Sequence, residues 1–229
     1  MNKTIIIIGG STGIGKALVE EAAKEPSNKV FAFARKDKLM KDNFYKLSNV
    51  STHHLDLEFF DEKKISDVIT KIGPIDVLIN NAGYLVKNSF DKLSHQDFLK
   101  SYQINVIGIM QFVQAVITKM NVSGSHIVNI SSMGGFQGSA KFPGLTAYST
   151  SKAALCSFTE LFAEEYKDSG IKMNCLCLGA VQTEMLEEAF PGFKAPHSPV
   201  EIASYIYTFA MTQGDFMNGK IIPVSQSTP

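Results

Sequence analysis

The sequence predicts an α/β fold: a doubly wound, seven-stranded parallel sheet with helices on both faces. Three observations point there. Short β-rich runs take turns with helix-like stretches along the chain, the pattern of βαβ units whose right-handed crossovers build a parallel sheet. The β-rich runs are apolar almost throughout, not at every second residue, as strands are when both their faces are covered. A glycine-rich turn stands between the first run and the first helix, where such sheets receive their ligands.

In order, TIIIIG (4–9), KVFAFA (29–34) and VSTHHLDL (50–57) read as the first three strands. DVLINN (76–81), HIVNIS (126–131), KMNCLCL (172–178) and KIIPV (220–224) complete the sheet. Between them helices are expected over 14–24, 38–47, 58–71, 96–119, 147–168 and 200–212, six in all. Two irregular stretches, MGGFQGSAKFPGL (133–145) and EEAFPGFKAPHSP (187–199), leave the carboxyl ends of the fifth and sixth strands. Open α/β sheets bind ligands at those ends, and the mixture of glycine, proline and phenylalanine points to an adjustable apolar lid.

At 229 residues the chain is within the range that an α/β fold fills as one domain, and no linker, repeat or low-complexity tract divides it; a single domain over 1–229 is expected. Lys plus Arg and Asp plus Glu both number 22, with no basic stripe, so a small ligand is expected as partner and neither a nucleic acid nor a membrane. The apolar run near the amino end is too short for a membrane span or a signal core, which predicts a cytoplasmic protein. Five scattered histidines lack metal-ligand spacing, and Cys156, Cys175 and Cys177 read as buried free thiols, the last two on one face of a strand; no metal site is expected.

Four short motifs occur in one order. Gly9-x₃-Gly13-x-Gly15 follows the first strand, NNAG (Asn80 to Gly83) closes the fourth, ISS (Ile130 to Ser132) closes the fifth, and YSTSK (Tyr148 to Lys152) opens the fifth helix. Glycines at the first site let the chain turn sharply and bring backbone N–H groups to a pyrophosphate, while the helix amino end attracts the anion. A Walker A loop is excluded, since Gly15-Lys16 is followed by Ala17. Together the motifs resemble the short-chain dehydrogenase/reductase family, in its subgroup of single-domain chains. The resemblance runs from the first strand to NGKIIPV and implies a Rossmann-like fold.

In Tyr148-x₃-Lys152 the phenol and the ammonium share a helix face one turn apart, and a nearby positive charge favours the phenolate. The resemblance implies that Tyr148 exchanges a proton with a carbonyl or alcohol oxygen, that Ser132 hydrogen-bonds that oxygen, and that Asn105 holds a water linking Lys152 to solvent. Ser131 is the neighbour that could simply end the strand. For a dinucleotide, the resemblance implies the turn Gly9, Ser11, Thr12, Gly13, Ile14 and Gly15, with Asp56 and Leu57 at the adenine and Asn81, followed by Ala82 and Gly83, near the adenosine ribose. It also implies Val181 and Thr183 at the nicotinamide carboxamide and Lys152 on the nicotinamide ribose. Three positions depart from the family pattern: Ile8 replaces the usual threonine, Leu178 replaces the proline of PGxxxT, and the tail PVSQSTP lacks an aspartate-glycine ending. The interval from Ser132 to Tyr148 is also longer than in many relatives, which enlarges the loop between them.

Relatives that prefer NAD end the second strand in an acidic residue that accepts from ribose hydroxyls. Here that place is Ala34, and next to it stands Arg35, the one arginine among 22 basic residues. A guanidinium can fork onto a 2′-phosphate and stack on adenine, so NADP(H) is expected in preference to NAD(H), with reduction as the cellular direction. Phe136, Leu186, Phe190 and Phe193 are the candidate pocket residues, suited to a carbonyl on a modest hydrophobic body. The expected activity is an NADPH-dependent aldehyde or ketone reductase. One alternative is a 3-oxoacyl-(acyl-carrier-protein) reductase, in which Lys141 and Lys194 would have to dock the carrier. Another is an NADP sensor or scaffold without redox chemistry, a class that typically lacks the tyrosine or the lysine. Apolar residues beyond one stripe on the helices over 96–119 and 147–168 call for a second surface to cover them, and the resemblance implies that this is another copy of the chain, in a homodimer or homotetramer.

Overall fold

A computed structural model describes residues 2–226. Its strands are β1 (Thr4–Ile8), β2 (Lys29–Ala34), β3 (Val50–His54), β4 (Val77–Asn80), β5 (Ser125–Ser132), β6 (Ile171–Leu178) and β7 (Ile221–Val224). They form one sheet in the order β3-β2-β1-β4-β5-β6-β7, every pairing parallel, which is the Rossmann-like arrangement expected. The direction of winding reverses between β1 and β4, so the carboxyl ends of these two strands, where Ile8 pairs with Asn80, open onto a crevice.

The helices are α1 (Gly13–Ala23), α2 (Asp37–Phe44), α3 (Glu62–Ile69), α4 (His95–Tyr102), α5 (Gly108–Val116), α6 (Thr146–Glu165), α7 (Glu184–Ala189) and α8 (Pro199–Thr212). Four consecutive isoleucines of β1 show how the layers form. Ile5 and Ile7 enter a core shared with Leu18 of α1 and Ile206 of α8, whereas Ile6 and Ile8 enter a second core with Phe112 of α5 and Leu155 of α6. All four are at most 1 % exposed. Alternation is therefore real in space yet absent from the hydropathy pattern, because both faces are dry.

Three elements differ from expectation. The helix expected over 96–119 is broken: α4 gives way to a π turn over Gln103–Ile107 before α5 begins. Gly108 is the reason for the close fit there, since a side-chain carbon on it would stand 2.6 Å from the Leu57 carbonyl oxygen. The third strand stops at His54, which leaves Asp56 and Leu57 in the loop beyond it. Part of the second irregular stretch is helical as α7, nucleated by Thr183, whose hydroxyl accepts from the Leu186 N–H at 3.2 Å.

Candidate active site

Contact dictates the glycine turn. Gly9 has φ 84°, and a side-chain carbon there would lie 2.7 Å from the Ala82 Cα; one on Gly15 would collide with the Gly9 carbonyl oxygen. That carbonyl accepts from Asn81 Nδ2 at 3.3 Å, and the Gly9 N–H donates to the Phe33 carbonyl at 2.7 Å, so β2 and β4 clamp the turn between them. At the amino end of α1 no side chain caps the first N–H groups and no acidic residue stands in the first turn. Such an end is suited to a phosphate, and the glycines preserve the room a side chain would fill. The residues present thus fit a dinucleotide.

A cavity of about 1150 Å³ begins at this turn. It is somewhat larger than the roughly 300–1000 Å³ of common ligand pockets. Ser11, Thr12, Gly13 and Ile14 form one wall, with Ala34 and Arg35 at the rim and Asp56 and Leu57 opposite. Arg35 is exposed, and so is Lys36 beside it, which also lines the cavity. Two cations therefore stand where the sequence pattern singled out one; the signal was the Arg-Lys dipeptide itself. Asp56 accepts from the Glu58 N–H at 2.9 Å. Asn81, Ala82 and Gly83 carry the wall toward Ser132, Tyr148 and Lys152.

The two serines at the end of β5 separate by facing opposite ways. Ser131 is buried and donates to the Lys152 carbonyl at 2.9 Å. Ser132 instead lines the cavity with Tyr148, and its oxygen accepts from the Gly134 N–H at 3.2 Å. Lys152, on the same helix as Tyr148, is 3 % exposed; its ammonium donates to the Ile130 carbonyl at 2.8 Å and lies 6.0 Å from the centre of the Tyr148 ring. Burial pulls the Lys152 pKa down to about 8. Burial pushes that of Tyr148 up, against the opposing effect of the Ser132 hydroxyl. In this arrangement the Lys152 ammonium is turned to the Ile130 carbonyl, and loss of water is the larger influence on the phenol.

Asn105 sits in the π turn, fully buried. Its Oδ1 accepts from the Tyr84 N–H at 2.7 Å, while its Nδ2 donates to the Tyr84 carbonyl and to Ser151 Oγ, each at 2.9 Å. The buried partner that an asparagine requires is therefore the backbone just beyond NNAG, with Ser151 as a positioning residue that the sequence pattern did not single out. Asn105 and Lys152 both border Gly83: a side-chain carbon there would meet Asn105 Oδ1 at 3.6 Å and Lys152 Nζ at 3.4 Å.

Over the other end of the cavity lies the apolar lid. Leu186, Phe190 and Phe193 line it, but Phe136 does not. Phe136 packs instead on Met133, Cys156, Cys175 and Cys177 behind α6, and Phe142 and Leu145 of the same loop take the place expected for it. Lys87 ties the lid down, donating to the Ala189 carbonyl at 3.0 Å with its ammonium 3.9 Å from the centre of the Phe190 ring. Val181 is buried and Thr183 caps α7, both on the cavity wall. Beside them the Glu184 carboxylate lies over Gly13, 3.3 Å from where a side-chain carbon would be. Lys141 is occupied within its own loop, bonded to the carbonyls of Gly134 and Phe136 at 3.1 and 2.6 Å.

Among the described residues no helix is long and apolar enough to cross a membrane. The sequence model of a family described as short chain dehydrogenase matches residues 3–192. Oxidoreductase BOA17 of Botryotinia fuckeliana is 33 % identical over 190 residues, covering 80 % of this chain and 68 % of that protein. An acetoacetyl-CoA reductase of Shinella zoogloeoides is 31 % identical over 237 residues, covering 97 % and 96 %. The solved structure of ElxO with NADP bound is similar with a TM-score of 0.84 at 29 % identity, covering 98 % of this chain and 97 % of that one.

Proposed function

The chain belongs to the short chain dehydrogenase family of NAD(P)-dependent oxidoreductases, and on that footing we propose that it is an NADPH-dependent carbonyl reductase, converting an aldehyde or ketone to an alcohol. One observation carries this reading: a single cavity joins Ser132, Tyr148 and Lys152 at one end to the glycine turn, Arg35 and Lys36 at the other. A bound nicotinamide supplies the hydride. Tyr148 gives the phenolic proton to the substrate oxygen, and Ser132 holds that oxygen as negative charge develops on it. Lys152, with its pKa near 8, can restore the proton at close to neutral pH. Arg35 and Lys36 receive a 2′-phosphate, which no carboxylate at Ala34 repels. Asp56 and Leu57 hold the adenine, Asn81 to Gly83 border the ribose, and Val181 and Thr183 face the carboxamide. The assembly is a homodimer or homotetramer, supported by exposed Leu99, Ile107 and Leu161 on α4, the π turn and α6; a monomer in light scattering would contradict it.

A 3-oxoacyl thioester is a second substrate class, favoured by the name of the Shinella relative. Docking of an acyl carrier is less well served, because Lys141 is spent on its own loop. The test is a panel of aldehydes, diketones and 3-oxoacyl thioesters assayed with NADPH and NADH side by side. Turnover of aldehydes or diketones with NADPH is the expected result, and thioesters alone would move the assignment to the second class. NADPH binding without turnover of any carbonyl would refute the reductase and favour a sensor.

A further inference from the structure

We propose that Cys156, Cys175 and Cys177 form a binding site for one soft, thiophilic cation of the Cu(I) type, behind the catalytic helix. Nothing in their spacing along the chain marks such a site; the fold assembles it. Cys156 lies one helical turn beyond Lys152 on α6, and Cys175 and Cys177 share a face of β6. Where helix and strand cross, Cys156 Sγ stands 3.9 Å from Cys175 Sγ and 3.6 Å from Cys177 Sγ, with all three sulfurs within 4.8 Å of one another. Sulfurs about 2.3 Å from a shared ion lie about 3.8 Å apart in a tetrahedron and about 4.0 Å apart in a trigonal plane. A disulfide would need two of them to close to about 2.05 Å. The trio is thus spaced for a common ion and not for a bonded pair.

Donor chemistry narrows the ion. All three thiols are buried; Met133 brings a thioether residue into the same cluster, Phe136 and Ile221 pack on it, and the Ser131 hydroxyl and the buried Lys152 ammonium are its polar neighbours. Sulfur donors select soft cations and offer nothing to magnesium, calcium or manganese. Three thiols also suit low-coordinate Cu(I) better than a closed zinc site, which takes four strong ligands. On binding, three S–H bonds are replaced by three metal–sulfur bonds and three protons leave to solvent, with no change of oxidation state. In the metal-free protein the Cys156 thiol donates to Ser131 Oγ at 3.5 Å, and that proton is among the three that leave. Met133 and Phe136 belong to the glycine-rich loop after β5.

The site stands or falls independently of the reductase reading. Reduced full-length protein is titrated without oxygen, with Cu(I) as its acetonitrile complex in competition with a bicinchoninate chelator, and with Cd(II) followed by its sulfur charge-transfer absorption in the ultraviolet. One ion per chain is expected, held by an all-sulfur shell in X-ray absorption. Cys156→Ala and Cys177→Ala are expected to weaken it by about 100-fold or more, since even outer-shell losses reach 10–100-fold. Failure of the wild type to take Cu(I) from the chelator overturns the proposal, as does a shell containing nitrogen or oxygen ligands. So does undiminished binding by alanine variants whose circular dichroism and Tm show them folded. Because the stoichiometry and the shell are read on the wild type, the test survives a variant that does not fold.

Discussion

Arg35 and Lys152 are cations at opposite ends of one cavity, and the fold holds them in opposite ways. Arg35 is exposed at the end of β2 with Lys36 beside it, whereas Lys152 is 3 % exposed and bonded to the Ile130 carbonyl. A solvated cation keeps its water until a ligand arrives and acts through a field that salt screens. A buried one has already lost its water, so its charge state answers to whatever comes within bonding distance. Burial has brought Lys152 down to about 8 for this reason. On the proposed function one end reads charge and the other manages protons, and the two should respond to perturbation on different scales.

The largest effect belongs to the buried end. Tyr148→Phe should reduce kcat by about 10²–10⁴, the usual contribution of a positioned acid or base, while NADPH binding followed by fluorescence stays within about twofold. Turnover at the wild-type rate would remove the proton-managing role altogether.

Buried groups should also make stability depend on pH, and His126 is the clearest case. Its Nδ1 donates to the Ala210 carbonyl at 3.0 Å and its Nε2 accepts from Asn174 at 2.9 Å, and burial lowers its pKa to about 4. An unfolded chain takes up this proton near pH 6.5, and the folded one only near pH 4. Stability from this site is therefore complete above pH 6.5 and is lost as the pH falls toward 4, by about 3 kcal/mol at the lower end. Thermal melts across that window should show the slope, and His126→Gln should flatten it; parallel slopes in the two proteins would rule out this histidine as the cause.

At the exposed end the effects are smaller and sensitive to salt. Arg35→Ala should lower the NADPH to NADH ratio of kcat/KM by about 10- to 100-fold, the range of one or two charged hydrogen bonds, with Lys36→Ala changing it less. Added salt should raise the NADPH KM of the wild type more than that of Arg35→Ala. An unchanged ratio would detach the cofactor preference from this arginine. The smallest change is expected at Glu184, whose carboxylate lies over Gly13 beside the amino end of α1. Glu184→Gln removes a like charge from the neighbourhood of a bound phosphate, which at about 0.3–1 kcal/mol should lower the NADPH KM by about two- to fivefold and leave kcat alone. No change in KM would show that the carboxylate swings clear on binding.

Sequence alone was enough for whatever depends on neighbours along the chain. Continuous apolar runs such as Ile5 to Ile8 demand a sheet covered on both faces, and Gly9 and Gly15 demand a tight turn into a helix. Tyr148 and Lys152 share a helix face because they are four residues apart. Other features had no such local cause. Asn105 sits in a π turn that ends where Gly108 passes the Leu57 carbonyl, and Phe142 rather than Phe136 faces the cavity because side-chain direction in a loop follows no period. The Lys152 ammonium turns to the Ile130 carbonyl, and three cysteines from a helix and a strand meet behind it. Each of these depends on which surfaces of distant segments come into contact, and only the packing of α6 and its loops against the sheet decides that.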